Sequence, residues 1–381
     1  MKTFHAGSLW LMLAVAAGVG GCGGASPDAD GKAAGRTEPF YETLQRDALS
    51  FEFRDGEWLE DYGDAAAFGP AFYLHAGLES GRQDYLAIAR AAGAYNLSAV
   101  EKAGGRVFWY LQNLEEVFMA MLGLVEYAGV SGDTASIPGL DRLIRTTDGA
   151  VRLLGDYVNV SVGEFAADLY GPTAITGGIV LIYLQYATYL DTPLRQVRID
   201  RAAAVVARID EEAWAGGYYR FRPGEEKLFL YPNAIMITAL CRLYELTGED
   251  RYLERAEAVY RGIQPLRFPE MGFYRSPYSQ EYQGALTDEY STLSSQNYLA
   301  MGLMLLYRNT GDTAYLDEAL WILDHIRCRL YDPAEGKLLH HWIDGRIACL
   351  EDPDYFCSGC NLQTLYILRY LQEELDVPLP W

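Results

Sequence analysis

The chain has 381 residues, half of them hydrophobic, and its 52 acidic and 31 basic side chains give a formal net charge of −21. The apolar and aromatic content argues against a disordered chain, because it suffices for a large core. The excess of acid argues against nucleic acid as a partner, since phosphates require a basic surface, and against a basic patch for anionic membranes.

The amino terminus has the features of an export signal. Met1-Lys2-Thr3 gives a positive start, Leu9 to Gly20 is apolar, and Val19-Gly20-Gly21-Cys22 ends in a cysteine. The apolar stretch is too short to span a membrane and is interrupted by glycines. It resembles a bacterial lipoprotein signal, which implies cleavage before Cys22 and lipid on its sulfur. We therefore expect a signal at residues 1–21, a flexible Gly- and Ala-rich tether at 22–38, and a globular domain at 39–381 anchored to the bacterial cell envelope, in the periplasm or at the outer-membrane surface.

The remainder of the chain repeats with a period of fifty to sixty-odd residues. Thr247-Gly248-Glu249-Asp250 begins a stretch that matches the one at Thr310-Gly311-Asp312-Thr313. In the clearest unit an apolar helix is followed by Gly248, which suits a left-handed helix cap, and then by an amphipathic helix. Each repeat is therefore predicted to be a hairpin of one buried inner helix and one exposed outer helix.

Six such hairpins follow in chain order. The predicted inner helices are 65–80, 110–128, 173–190, 232–247, 291–310 and 361–375, and the predicted outer helices are 39–51, 83–96, 136–155, 194–210, 250–264 and 313–330. Six hairpins without a strand-rich half predict an all-α fold, a closed (α/α)6 toroid, because closure buries the end faces of the stack. An open α-solenoid is the alternative.

Three motifs support a resemblance to a known superfamily. They are Gly216-Gly217-Tyr218-Tyr219 before an inner helix, Tyr244-Glu245-Leu246-Thr247-Gly248, and Thr287-Asp288-Glu289-Tyr290. In these the chain resembles the six-hairpin glycosidase-like proteins, among them N-acylglucosamine epimerases, α-1,6-mannanases and the helical toroid of proteins that carry thioredoxin-like domains. The resemblance implies a toroid that acts on carbohydrate, while a fold alone hosts many functions.

The loops that lead from outer to inner helices are long and rich in aromatic residues. In this topology they gather at one mouth, where functional residues concentrate. Aromatic rings can stack on sugar rings, although packing at the rim would use the same side chains. We take as candidate sugar-binding residues Trp109, Tyr110, Tyr219, Tyr231, Tyr290 and Trp342.

Carboxylates in the same loops are the candidates for catalysis. Asp288 and Glu289 precede the fifth inner helix, where similar toroid hydrolases carry an acidic pair. Glycoside hydrolysis needs two carboxyl groups across the scissile bond, and the second would come from another loop, with Asp168 or Asp61 preferred. The alternative for Asp288 and Glu289 is capping of the helix that follows. Asn233 is likewise interpreted as a helix cap.

Four cysteines cluster near the carboxyl terminus, at Cys328, Cys349, Cys357 and Cys360, with His340 and His341 among them. Outside the cytoplasm such a cluster predicts two disulfides. A zinc site that includes Cys357 and Cys360 is the rival interpretation, and a redox pair is a third. Cys241, alone in an apolar helix, is expected to be a buried thiol.

The sequence thus favours a lipid-anchored enzyme that acts on carbohydrate: a hydrolase first, with epimerase or lyase chemistry as alternatives. A non-catalytic lipoprotein that binds glycan or peptide, and a zinc-dependent toroid enzyme, are the other hypotheses. No cofactor is expected unless zinc binds at Cys357 and Cys360. The expected partners are a carbohydrate and, through Cys22, a membrane, and the chain is expected to be a monomer.

Overall fold

The structure is a computed structural model, and it describes Leu44 and residues 53–54, 57–58, 62–103, 114–133, 135–158, 171–270, 272–276, 290–333, 336–343, 346–347 and 358–379. These residues all belong to one unit, Glu38–Trp381. The predicted signal segment, Cys22 and the tether lie outside the described residues.

Eleven α-helices alternate between an inner and an outer layer in the described part of the chain. The inner helices are α1 (Tyr62–Ser80), α3 (Leu114–Ser131), α5 (Gly171–Tyr189), α7 (Leu230–Thr247), α9 (Leu293–Thr310) and α11 (Ser358–Arg369), which continues into a π-helical turn at Tyr370–Glu374. The outer helices are α2 (Gln83–Ala103), α4 (Ile137–Leu153), α6 (Arg195–Ala213), α8 (Asp250–Gly262) and α10 (Thr313–Leu330). Of the predicted outer helix 39–51, only Leu44 is described, as a buried helical residue.

The inner helices form a closed ring. Each inner helix packs against the next one along the chain, and α11 packs against α1. No terminal hairpin face is left to solvent between these two helices. The predicted (α/α)6 toroid is therefore confirmed, and the open solenoid is wrong.

The two layers differ in burial as their sequences predict. Inner helix α5 is apolar nearly all round and buries 15 of its 19 residues, whereas outer helix α8 buries Tyr252, Ala256 and Val259 on one stripe. A helix that is hydrophobic on every side belongs in a core, and an amphipathic one lies at the surface. Gly248 ends α7 with a φ of 71°, the left-handed cap predicted for it.

Short β-strands, which the sequence analysis does not predict, shape several of the long loops. They are β1 (Phe53–Arg54), β2 (Glu57–Trp58), β3 (Arg267–Phe268), β4 (Phe273–Tyr274), β5 (Tyr290–Thr292), β6 (Tyr331–Asp332), β7 (Lys337–Leu338), β8 (His341–Ile343) and β9 (Arg346–Ile347). Strands β5 and β8 pair antiparallel, with Ser291 opposite Trp342. This pairing joins the loop before α9 to the loop before α11, so these two loops do gather at one mouth.

An amide at the same position of three consecutive inner helices holds the loop in front of each helix. Asn233, Gln296 and Asn361 are the fourth residues of α7, α9 and α11. The Oδ1 atom of Asn233 accepts from the backbone N–H of Tyr219 at 2.7 Å, and its Nδ2 donates to the carbonyl of Tyr219 at 2.9 Å. The loop backbone thus gains two partners in a place that water does not reach.

The other two amides make the same reciprocal pair. Gln296 pairs with Tyr274 at 3.1 and 2.7 Å, and Asn361 pairs with Leu338 at 2.8 and 3.0 Å. Asn233 also donates to the carbonyl of Phe229, the residue that precedes α7, at 2.7 Å. The interpretation of Asn233 as a helix cap is therefore wrong, because its amide forms hydrogen bonds with the backbone of Tyr219 in the preceding loop.

Replacing Asn233 with alanine is expected to lower the free energy of unfolding by about 2–4 kcal/mol, since the buried backbone groups of Tyr219 lose their partners. Urea unfolding followed by circular dichroism measures the change. Gln196, whose amide is exposed on α6, supplies the control variant Gln196→Ala, for which a change within about 0.5 kcal/mol is expected. Equal stability of the two variants would show that the amide pair is dispensable.

Candidate functional site

A cavity lies on the axis of the toroid, and we call it the axial cavity. It holds about 690 Å³ of empty space, part of it open to solvent. All six inner helices contribute to its lining, which consists of Ala67, Phe68, Leu122, Glu126, Leu181, Leu184, Gln185, Thr188, Thr238, Arg242, Tyr298, Met301, Gln363, Tyr366 and Ile367.

One wall of the axial cavity is aromatic. The half-buried ring of Phe68 lies 6.3 Å from the ring of Tyr298 and 5.7 Å from the ring of Tyr366, measured between centroids. Tyr231 meets Tyr298 edge to face at 5.5 Å. Rings held edge to face by their neighbours keep a fixed orientation, which suits them to stack on a flat apolar face of a ligand.

The axial cavity also has a charged group, Glu126 of α3. It is a buried carboxylate that accepts hydrogen bonds from side chains of three other helices. His75 of α1 lies 3.0 Å from Oε1, Gln185 of α5 donates to Oε2 at 2.8 Å, and the hydroxyl of Tyr366 of α11 donates to both oxygens at 3.0 and 3.1 Å. We call these four residues and Arg369 the axial network. It ties the first hairpin to the last through His75 and Arg369, which are 294 residues apart in the sequence.

Arg369 determines which ring nitrogen of His75 accepts a hydrogen bond. Its Nη2 lies 3.0 Å from Nδ1 of His75, and a guanidinium has only donors, so Nδ1 accepts. The ring proton must then be on Nε2, where it is donated to Glu126. Arg369 is itself paired with Glu79 at 2.9 Å. The network therefore places the imidazole of His75 between a carboxylate and a guanidinium.

Glu126 is held in its ionised form. Burial by itself would raise its pKa, but the hydrogen bond and electrostatic interaction with His75, followed by the hydrogen bond from Tyr366, outweigh this, and the pKa of Glu126 lies below its ordinary value. A carboxylate with a lowered pKa and several donors already in place is a poor general acid and a weak base near pH 7. In the axial cavity Glu126 is suited to hold other groups in position.

Arg242 brings a positive charge to the same cavity from α7. Its Nη1 lies 3.1 Å from Oε2 of Glu245, and Glu245 pairs in turn with Arg308 of α9. Charges of both signs therefore lie around the axis in pairs. The strongly acidic composition of the chain does not extend to this part of the cavity wall.

Few of the predicted site residues lie among the described residues. Tyr231 packs edge to face against Tyr298 of the aromatic wall and is itself absent from the residues that line the axial cavity. Tyr219 is fully buried and its hydroxyl donates to Asp210 at 2.6 Å, on the outer helix α6, so it is absent from the residues that line the axial cavity. For Tyr290 and Trp342 the structure places the backbone, in the paired strands β5 and β8. The others lie outside the described residues: Asp61, Trp109, Tyr110, Asp168, Asp288 and Glu289.

The cysteine cluster differs from its prediction. Cys360 is buried at the start of α11 and is not part of a disulfide, so the expectation of two disulfides, which needs all four cysteines, is wrong. Cys328, half-buried near the end of α10, is disulfide-bonded, while Cys349 and Cys357 lie outside the described residues. Among the residues that are described, no group of three His, Cys, Asp or Glu side chains could hold a metal ion. Cys241 is buried as expected, and burial raises the pKa of its thiol.

The axial network is not apparent from the sequence. Glu126 directly follows the apolar run Leu122-Gly123-Leu124-Val125, and His75 lies in the apolar helix α1. A single ionisable residue inside an apolar helix is the available signal, because its burial demands a partner. The neighbouring sequence does not indicate which residue that partner is, because the partners lie on helices far away in the sequence.

No family model and no curated protein matches the sequence. In the part of the chain that is described, no helix combines the length and the apolar character needed to cross a membrane.

Solved structures do match the fold. An unsaturated glucuronyl hydrolase specific for heparin is 12% identical with a TM-score of 0.61, covering 89% of this chain and 96% of that one. A sugar epimerase from a ruminal bacterium is 13% identical with a TM-score of 0.62, covering 86% and 98%. A family 76 glycoside hydrolase from a bovine Bacteroides thetaiotaomicron strain is 11% identical with a TM-score of 0.57, covering 88% and 77%. The closed ring of six inner helices and these likenesses together show that the chain has the (α/α)6 toroid fold of the six-hairpin glycosidase-like proteins.

Proposed function

We propose that this protein is a carbohydrate-active enzyme that binds sugar in the axial cavity. The observation that carries the proposal is the cavity itself, which is lined both by aromatic rings, at Phe68 and Tyr298, and by polar groups, at Glu126, Arg242 and Gln363. Sugars present apolar C–H faces and many hydroxyls, so they suit a site with both kinds of surface. The similar structures named above, a hydrolase, an epimerase and a glycoside hydrolase, support this substrate class.

Hydrolysis is the reaction that we place first, with epimerisation or elimination as alternatives. Glu126 is unsuited to proton transfer, so the reacting carboxyl groups would come from the mouth: Asp288 or Glu289 on one side, and Asp168 or Asp61 on the other. Two carboxyl groups across the scissile bond provide an acid and a base or nucleophile. Trp109, Tyr110, Tyr290 and Trp342 would extend the sugar-binding surface outward from the cavity.

Product analysis on a panel of bacterial and plant polysaccharides tests this proposal. We expect turnover of at least one substrate, and we expect Asp288→Asn or Glu289→Gln to reduce it by about 10²–10⁴-fold, the usual contribution of an acid or base. Glu211→Gln, at an exposed carboxylate of α6, is the control and should leave turnover unchanged. Full turnover in both mouth variants would remove these two residues from the mechanism.

A non-catalytic sugar-binding protein is the second candidate, and one observation favours it. The carboxylate in the axial cavity, Glu126, spends its oxygens on three donors from the protein. Retention of one glycan without turnover of any would support this candidate over the enzyme.

We also propose that the protein is anchored to the cell envelope through lipid on Cys22. Labelling of cells with a radioactive fatty acid should mark the wild type and leave Cys22→Ala unlabelled. Zinc at Cys357 and Cys360 stays a prediction, and stoichiometric metal in the purified protein is the result that would support it.

A further inference from the structure

Gln363 of α11 stands out in the axial cavity because its amide has an unmet hydrogen bond. The side chain lines the cavity and is 1% exposed, and its Oε1 atom is buried without a donor. Among the described residues, it is the one side-chain amide oxygen in this state. A buried carbonyl oxygen without a donor destabilises the folded protein, so such groups are rare without a reason.

The side-chain amides near Gln363 have hydrogen-bond partners within the protein. Asn361, two residues earlier, pairs with both backbone groups of Leu338, and Gln296 of α9 pairs with both backbone groups of Tyr274. Thr364, the next residue, donates to the amide oxygen of Asn297 at 3.1 Å. Each of these side chains holds helices or loops together. Gln363 faces the axis instead and makes no such link.

We propose that Gln363 is a ligand-binding residue that accepts a hydrogen bond from a hydroxyl of a sugar in the axial cavity. The inference rests on the proposed function and deepens it by naming a contact and the chemistry that it selects. Rotation about the last side-chain torsion of Gln363 turns Oε1 toward the cavity, where a ligand hydroxyl supplies the missing donor. A ring that stacks on Phe68 would present its equatorial hydroxyls sideways, toward the helices.

The contact selects a donor. A ligand carboxylate or carbonyl at this position has no proton to donate, so its oxygen would repel the amide oxygen of Gln363. A sugar that lacks the hydroxyl would leave the amide oxygen without a donor. A site that reads a hydroxyl through a buried polar group discriminates strongly against the analogue that lacks it. The subsite at Gln363 therefore takes a neutral hydroxylated ring.

Two measurements on the full chain test the role of Gln363. The probes are D-glucose, D-mannose, N-acetyl-D-glucosamine and their monodeoxy analogues, with affinity measured by calorimetry. For the sugar that binds wild type, we expect Gln363→Leu to weaken binding by about ten- to a hundredfold. One deoxy analogue should lose a similar factor on the wild type and nothing further on the variant, which identifies the hydroxyl.

Thermal unfolding distinguishes this role from a structural one. Gln363→Leu removes a buried unpaired amide and keeps its volume, so we expect the melting temperature to rise. In Gln296→Leu, the matched change at a fully paired amide, we expect it to fall. Gln363→Met repeats the test with a side chain that adapts to the cavity, in case leucine packs poorly.

The outcomes separate this inference from the proposed function. Sugar binding that is equal in wild type, Gln363→Leu and Gln363→Met overturns the role of Gln363 and leaves the proposed function standing. A fall in melting temperature in both variants, without weaker binding, also overturns it. If no sugar of any kind binds to or is turned over by the wild type, the proposed function fails first and the inference fails with it.

Discussion

Replacing Glu126 by glutamine is expected to lower the free energy of unfolding by about 2–4 kcal/mol. The carboxylate accepts from His75, Gln185 and Tyr366, which come from three helices. An amide can accept at one atom only, and its NH₂ group would face at least one of these donors. A buried donor is then left without an acceptor in the middle of the ring.

The pH dependence of the same variant tests the charge of Glu126. Because the folded protein lowers the pKa of this group, the stabilisation by its ionised form is fully present above the ordinary value of 4.5. It is lost progressively as the pH falls below that value, toward the folded pKa. The stability difference between wild type and Glu126→Gln should therefore shrink as the pH falls below about 4.5.

Urea unfolding at several pH values provides both measurements. Glu211→Gln is the control, since that carboxylate is 66% exposed on α6 and its replacement should change stability by less than about 0.5 kcal/mol. If Glu126→Gln were as stable as Glu211→Gln, the axial network would contribute nothing to closure of the ring.

Replacing Gly123 by alanine is the second change with a large expected effect, about 3 kcal/mol of destabilisation. A Cβ atom at Gly123 of α3 would lie 2.1 Å from the carbonyl oxygen of Ala66 and 2.8 Å from that of Ala67, both in α1. Backbone atoms cannot turn aside as a side chain can, so the two inner helices would have to separate. The carbonyl of Ala66 has no intrahelical donor, because Pro70 lacks an N–H, and it accepts instead from Asn96 of α2 at 2.8 Å.

Gly149 of α4 gives a control of the opposite sign. It lies inside a helix, and a Cβ atom there would meet nothing within 4 Å. Gly149→Ala should therefore stabilise the protein by about 0.5–1 kcal/mol, because alanine loses less conformational freedom in a helix. Thermal unfolding of the two variants should move in opposite directions. A rise in both would show that α1 and α3 can move apart without cost.

The site is less predictable than the fold, for reasons visible at particular residues. Gly248 could be identified as a helix cap from the sequence because the cap, its helix and its φ angle are local features. Glu126 could not be joined to Tyr366, since 240 residues separate them and only closure of the ring brings them together. Asn233 was misread for a related reason: its partner Tyr219 belongs to a loop whose path depends on the folded hairpin.

The sequence by itself determined the helical repeat, the contrast between inner and outer helices and hence the toroid, because hydrophobic periodicity is a local property that survives in any context. It did not determine the short strands of the mouth, since two-residue strands such as β3 and β4 have no period to read. Only the tertiary structure decided which polar groups meet on the axis: Glu126 in its saturated network and Gln363 without a partner. Those contacts depend on helices that are distant in sequence and adjacent in the ring.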